Sequence, residues 1–345
     1  MRFFRSDALK PLIAANLKKI GVCDDGCFHV SESVIQTSLR GVDSHGITLF
    51  PHYHAVAVSG RINKKPSFSH ERTGASVAVF DADYGYGHHA GAEAMRLATD
   101  IAHETGVGVV SVTHSSHFGA AAYFGFLAAA RDMIGLSFTN APASVVAYNA
   151  ATSFFGTNPV CVVVPMRDEG PFCLDMATSS MSTNKLANYR RTDTPLEPGW
   201  GFDAQGKGTA DPHAAKYVGP FGGYKGYGLG MMVEIFCGLL AGGPVATQLE
   251  TMLKDLHVRR SLSQCFIALD IARFQDTAAF KARLQEMADG IRALPRADAE
   301  VPVMIPGDPE KISHANRLVA GIPVDDPMYE RFIAIDLAFE TALMP

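Results

Sequence analysis

Apolar residues recur at helical spacing near the start of the chain. Leu9, Leu12, Ile13, Leu17 and Ile20 share one face, Ser6 offers an N-cap and Gly21 a stop. Pro11 falls inside that stretch, which predicts a start nearer Lys10. A second helix is expected after Ser31, with Val34, Ile35 and Leu39 inward, until GVDSHGI at 41–47 breaks the pattern. From Ser76 strands and helices alternate. SVAVFDAD (76–83) reads as a strand and residues 90–106 as a helix ended by Gly106. VGVVSV (107–112), GAAAYFGFLAAARDM (119–133) and IGLSFTN (134–140) then read as strand, helix and strand. CVVVP (161–165) and FCLDMAT (172–178) look like buried strands, and residues 228–240 like a largely buried helix. CFIALD (265–270) is a late strand, residues 278–294 an amphipathic helix, PVMIPGD (302–308) a final short strand, and residues 329–343 are helical. This alternation predicts an α/β architecture. The longest irregular stretch, Thr194–Gly226, has a length that usually marks a functional or mobile loop.

Composition narrows the class. The 345 residues are 47% hydrophobic and 19% charged, ample for a large core. A formal net charge of −5 argues against a nucleic-acid surface. No run of about 18 apolar residues predicts a membrane span, and MRFFRSDALKPL carries no export signal. Six scattered cysteines without a CxxC pair fit reduced thiols in the cytoplasm.

Several motifs suggest chemistry, each with a plainer alternative. Residues 85–90, GYGHHA, fit GxGxxA, but the next strand runs into THSSH (113–117) rather than an acidic residue, so a plain strand-to-helix turn is favoured over a dinucleotide fingerprint. GPFGGYKGYGLG (219–230) lacks P-loop spacing; its glycines allow close approach to a ligand, with Lys225 adding charge, or form a flexible turn. His45, between Ser44 and Gly46, suits proton transfer, or is a surface or packing residue. His114 and His117 follow a buried strand, and with His52 and His54 they raise the question of zinc. A zinc site needs three or four supported ligands and no HExxH or paired cysteine is present, so no metal is expected. Thr157 and Asn158 either bind a carboxylate or carbonyl oxygen or form an ordinary turn, and Asp175 either binds ribose hydroxyls or a histidine or caps a helix.

Taken together, RGVDSHG (40–46), SSHFGAAAYF (115–124), FGTNPV (155–160), DMATS (175–179), GGYKGYGLGMMVE (222–234) and IPGDPE (305–310) resemble the type 2 malate/L-lactate dehydrogenase family, in order and over nearly the whole chain. The resemblance implies a non-Rossmann α/β fold with a mixed sheet. A helical region for substrate and dimerisation would comprise residues 1–110 with 311–345, and residues 111–310 would form the cofactor domain. It implies a homodimer, a nicotinamide cofactor and a small 2-hydroxy or 2-oxo acid as substrate. By position, His45 resembles the family's proton donor and acceptor and Ser44 its partner, with His117 a second active-site histidine. His117, Phe118, Gly119, Ala120, Asp175, Met176, Ala177, Lys225, Gly226, Pro306, Gly307 and Asp308 resemble cofactor contacts, and Arg40, Thr157, Asn158 and Lys185 substrate contacts.

Two departures from the family pattern stand out. Many members carry an arginine one turn after the SHG motif, suited to a bidentate grip on the substrate carboxylate; here Thr48 and Leu49 stand there, leaving Arg40, His52 or His54 for that task, or implying a different substrate. Asn184-Lys185 resembles the hydroxy-acid branch more than the cyclic ketimine reductases, which remain the alternative, with a metal-dependent hydrolase further off. Arg190 and Arg191 suit a 2′-phosphate or are a solvated face; NAD is expected, with NADP the alternative.

Overall fold

The structure, a computed structural model, describes residues 1–344. A short strand β1 (Arg2–Phe4) precedes α1 (Ser6–Lys19), α2 (Asp24–Leu39) and α3 (Phe50–Val58). A hairpin, β2 (Ser69–Gly74) and β3 (Val77–Asp81), leads through α4 (Gly87–Thr105) to β4 (Val107–Ser115). Then come α5 (Ala122–Ala129), β5 (Met133–Thr139), β6 (Val145–Val146), β7 (Ser153–Phe155), β8 (Val160–Val164) and β9 (Phe172–Met176). A peripheral segment carries α6 (Thr183–Arg191), β10 (Gly201–Phe202), β11 (Gly208–Thr209), β12 (Tyr217–Val218) and α7 (Tyr224–Glu234). The chain continues through β13 (Leu262–Asp270), α8 (Thr277–Arg292), α9 (Asp308–Ala320), β14 (Ile322–Val324) and α10 (Asp326–Ile335).

The main sheet has the order β2-β3-β4-β13-β5-β8-β9. Only β3 and β4 run parallel; β13 inserts between β4 and β5, antiparallel to both. That mixed order is not the doubly wound arrangement of dinucleotide-binding sheets. Two cores result. One packs α4 and α5 on the main sheet around Phe118, Phe124 and Phe266. The other joins both ends of the chain, where Leu9, Ile13, Val34 and Phe50 meet Phe332 and Phe339, and β1 pairs with β14. Residues of β3 and α4, grouped by sequence with the terminal region, belong to the main-sheet core.

Several boundaries differ from expectation. Helix α1 begins at Ser6, with Arg5 at the cap position, and holds Pro11 on its exposed face, where the missing N–H is tolerated. Helix α2 starts at Asp24 rather than after Ser31, because Asp24 and Asp25 in its first turn favour the positive helix end. PVMIPGD forms no strand; instead Pro309 sits in the first turn of α9, where proline fits a helix start. Helix α3 escaped the periodicity because Phe50, Pro51, His52, Tyr53, Val56 and Ala57 are buried around nearly its whole girth. The helix expected at 228–240 exists as α7 and a continuing π turn (Ile235–Leu239), but it is not largely buried: Tyr224, Leu229, Met231, Ile235, Leu239 and Leu240 are exposed.

Candidate active site

A cleft of about 1370 Å³ lies between the terminal core and the main sheet. One drug-sized ligand fills roughly 300–1,000 Å³, so a dinucleotide and a small acid together have room. Its walls come from α2 and the turn after it, residues 117–122 beyond β4, the end of β9, and residues 304–310.

His45 stands on a single 3₁₀ turn, Asp43–His45. Arg317 of α9 fixes that turn, donating to the Asp43 carboxylate (2.8 Å to Oδ2) and to the Ser38 carbonyl (2.6 Å). The Ser38 hydroxyl accepts from the Ile47 N–H at 2.9 Å, and a Cβ on Gly46 would lie 2.0 Å from that same oxygen. The glycine of the SHG motif therefore lets the turn close against α2. Ser44 Oγ lies 2.8 Å from His45 Nδ1.

The His117 ring stacks on His45, with centroids 5.8 Å apart and planes 19° from parallel. Tyr53 Oη lies 2.9 Å from His117 Nδ1, and the Gly119 N–H donates to the same nitrogen at 3.4 Å. Gly119 makes that approach with φ +77°, which favours glycine. The backbone donor makes Nδ1 an acceptor, so in the neutral ring the proton sits on Nε2. Burial lowers the pKa of His45. Burial lowers His117 much further, helped by His45, Arg260, His88 and His52. Both imidazoles are neutral at neutral pH.

The far end of the cleft holds Asp175, Met176, Ala177, Pro306 and Gly307. Asp175 Oδ2 accepts from the Ala122 N–H at 2.8 Å. Its carboxylate stands within the cleft walls yet open to the water there; the surrounding protein raises its pKa against the pull of that hydrogen bond, with Glu310 adding to the rise. Arg40 also lines the cleft, its guanidinium 3.6 Å over the Phe126 ring.

His45, Ser44, His117, Phe118, Gly119, Ala120, Thr157, Asp175, Met176, Ala177, Pro306 and Gly307 thus share one cleft. Others do not reach it. Asn158 is fully buried and spent, with Nδ2 donating to the Gly230 carbonyl (3.0 Å) and Glu234 (2.8 Å) and Oδ1 accepting from the Ala141 N–H (3.0 Å). Asp308 takes both ends of the Arg292 guanidinium, at 2.9 and 2.6 Å. The Lys185 ammonium lies 4.5 Å over the Trp200 ring, and Arg190 donates to the carbonyls of Pro212 and Ala215. Lys225 is exposed at the start of α7, and Gly226 packs on Phe221, both outside the cleft. The HxxH pair splits, because His114 Nδ1 lies 2.9 Å from Asp81 Oδ2. His52 is buried and, through burial and then Arg260 and Arg61, has its pKa pushed down to about 4. Sequence reasoning passed over Tyr53 and Arg260. Arg260 follows Arg259 in a polar stretch, and only the fold shows that one of the two is buried.

Comparisons with known proteins show which family the chain and its fold belong to. A malate dehydrogenase of Pyrococcus abyssi is 33% identical over 329 residues, covering 92% of this chain and 90% of its own. An NAD(+) ureidoglycolate dehydrogenase of Escherichia coli K12 is 30% identical over 336 residues, 97% of this chain and 96% of its own. The sulfolactate dehydrogenase structure from Methanocaldococcus jannaschii superposes with a TM-score of 0.91 at 31% identity, covering 98% of this chain and 97% of that one. The model of the family described as malate/L-lactate dehydrogenase matches residues 4–332. A family match over residues 4–332, with relatives at 33% and 30% identity over 92% and 97% of the chain, places this protein in the malate/L-lactate dehydrogenase family.

Proposed function

We propose that this chain interconverts a small 2-hydroxy acid and its 2-oxo acid with a nicotinamide dinucleotide. The observation that carries the reading is the stacked His45–His117 pair in a cleft large enough for both reactants. The cleft fits the dinucleotide. Gly119 to Ala122 present small side chains along one wall, and Asp175 offers an accessible carboxylate to ribose hydroxyls. Met176, Ala177, Pro306 and Gly307 complete that end. NAD is favoured over NADP because Asp175, with Glu310 nearby, repels a 2′-phosphate.

The bound nicotinamide supplies or accepts the hydride at the substrate's C2. In oxidation, neutral His45 takes the hydroxyl proton on Nε2 while its Nδ1–H donates to Ser44 Oγ. His117 donates its Nε2–H to the same substrate oxygen and orients it, and Thr157 lines the space beside it. In reduction protonated His45 returns the proton. The cleft walls keep water from the transfer.

The chain works as a homodimer. The exposed apolar stripe Tyr224, Met231, Ile235 and Leu239 is large for a solvent face, and it offers Lys225 and Gly226 a cofactor role only across a subunit contact. Its six free thiols suit the reducing cytoplasm.

A screen of 2-hydroxy, 2-oxo and cyclic imino acids with both cofactors, read as absorbance at 340 nm, tests the reading. Turnover confined to imino acids overturns it. His45→Ala should lower turnover by roughly 10²–10⁴-fold with cofactor affinity nearly unchanged; wild-type rates would remove His45 from the mechanism.

A further inference from the structure

We infer that Arg260 grips the substrate carboxylate in place of the arginine that many family members carry after the SHG motif. This rests on the dehydrogenase reading above. At the two positions concerned, Leu49 presents an apolar side chain to the cleft, and the Thr48 hydroxyl is spent on the Asp43 carbonyl. Of the other candidates, Arg40 also lacks a hydrogen-bond partner, but it lies flat over Phe126 at the Cys173–Glu310 end of the cleft. His52 and His54 do not line the cleft.

Arg260 lines the cleft together with His45, His117 and Leu49, and only 5% of its surface is exposed. Its Nε donates to the Glu250 carbonyl at 3.0 Å, which fixes the plane of the guanidinium. The two terminal nitrogens have no hydrogen-bond acceptor and no carboxylate pairs with them, among the described residues. Arg61, its neighbour, makes the contrast. Its two terminal nitrogens are both taken by main-chain carbonyls of Met252, Lys254 and Asp255, at the edge of the segment 251–254 that forms one cleft wall. Burial and Arg61 both press against the positive charge of Arg260, lowering its pKa to about 10. A buried cation with a free two-nitrogen edge needs an anion that the protein does not supply. A planar carboxylate matches that edge with two parallel hydrogen bonds. The imidazoles of His45 and His117 at the same end then face the carbon next to that carboxylate, as a 2-oxo acid requires. The substrate class is therefore a free acid rather than an ester or amide.

The test uses the full-length protein saturated with NADH and titrated calorimetrically with oxamate, a 2-oxo-acid mimic. Arg260→Gln should weaken oxamate about 30-fold or more, since a charged bidentate contact is lost, while NADH affinity stays within twofold. Arg260→Lys, which keeps the charge but not the fork, should weaken it about tenfold and serves if the glutamine variant does not fold. For any 2-oxo acid turned over, KM should rise in parallel with kcat changed much less, and preference for the acid over its methyl ester should collapse. Oxamate affinity within threefold of wild type in both variants overturns the assignment, as does a wild type that binds no oxamate. If oxamate binding depends on Arg260 yet no 2-oxo acid is reduced, the grip stands and the dehydrogenase reading falls.

Discussion

At the scale of single residues, the proposed mechanism makes the histidine pair set the pH dependence. Burial holds the folded pKa of His45 below the ordinary 6.5, so its base form is complete at neutral pH and declines only as pH falls through the lowered value. The kcat/KM for oxidation should therefore be flat from pH 8 down past 6.5, and a midpoint at or above that value would contradict the assignment. Reduction, which needs the protonated ring, should slow steadily as pH rises over the same range. Leu49 yields a second expectation. Leu49→Arg places a second guanidinium on the cleft wall and should raise the preference for dicarboxylic over monocarboxylic acids about tenfold. A substrate panel on that variant measures the ratio. His45 was legible in the sequence because a histidine before glycine stands out at a helix end. Arg260 was not, since its burial comes from the fit of residues 249–260 against α3 and the cleft, contacts that no local pattern encodes. Asn158 misled for the opposite reason: its turn looked open, yet Glu234, far along the chain, claims its amide.

At the scale of elements, polar ties between helices hold the cleft in shape. Arg292 of α8 bridges Glu169 and Asp308, and Asp308 also accepts from the Ile305 N–H at 3.1 Å, which anchors the Pro306–Gly307 wall. Asp308→Asn should cost about 1–3 kcal/mol, seen as a lowered melting temperature, and should weaken cofactor binding, because the wall moves with its anchor. Hydrogen bonding to Arg292 pulls the pKa of Glu169 down from 4.5 to about 2. Asp308 is lowered too, its contacts with Arg292 outweighing the opposing effect of burial. Their stabilisation is complete above the ordinary carboxylate range and is lost as pH falls from about 4.5 toward 2. Thermal melts of the variant and the wild type should therefore converge in acid. Asn158→Ala tests the structural tie, which predicts lost stability with KM preserved in the folded fraction; a raised KM would return Asn158 to the substrate site. Most strands of the main sheet were legible, being apolar runs such as CVVVP, while the short peripheral strands and helices α3 and α9 were not, α3 lacking a polar face and α9 hidden behind Pro-Gly-Asp-Pro.

At the scale of the whole molecule, the proposed dimer places its subunit contact on the exposed stripe of α7 and its π extension. Leu239→Glu should yield monomers in sedimentation and lose activity if Lys225 serves the partner's cleft. A variant that stays dimeric would move the contact elsewhere. The mixed sheet itself was not legible from alternation alone; the insertion of β13 between β4 and β5 is a long-range pairing that the order of elements does not reveal.

The pairing of β1 with β14 has a consequence for biosynthesis. Phe4 meets Ile322 and Phe332, so the layer that carries His45 lacks its closing pieces until the last part of the chain has left the ribosome. The main sheet, whose strands end at Asp270, can pair earlier. Catalytic competence should accordingly arise only once residues 322–339 are available, and stalled chains lacking residues beyond 320 should protect amides of β4 and β13 from exchange while leaving those of α1 unprotected.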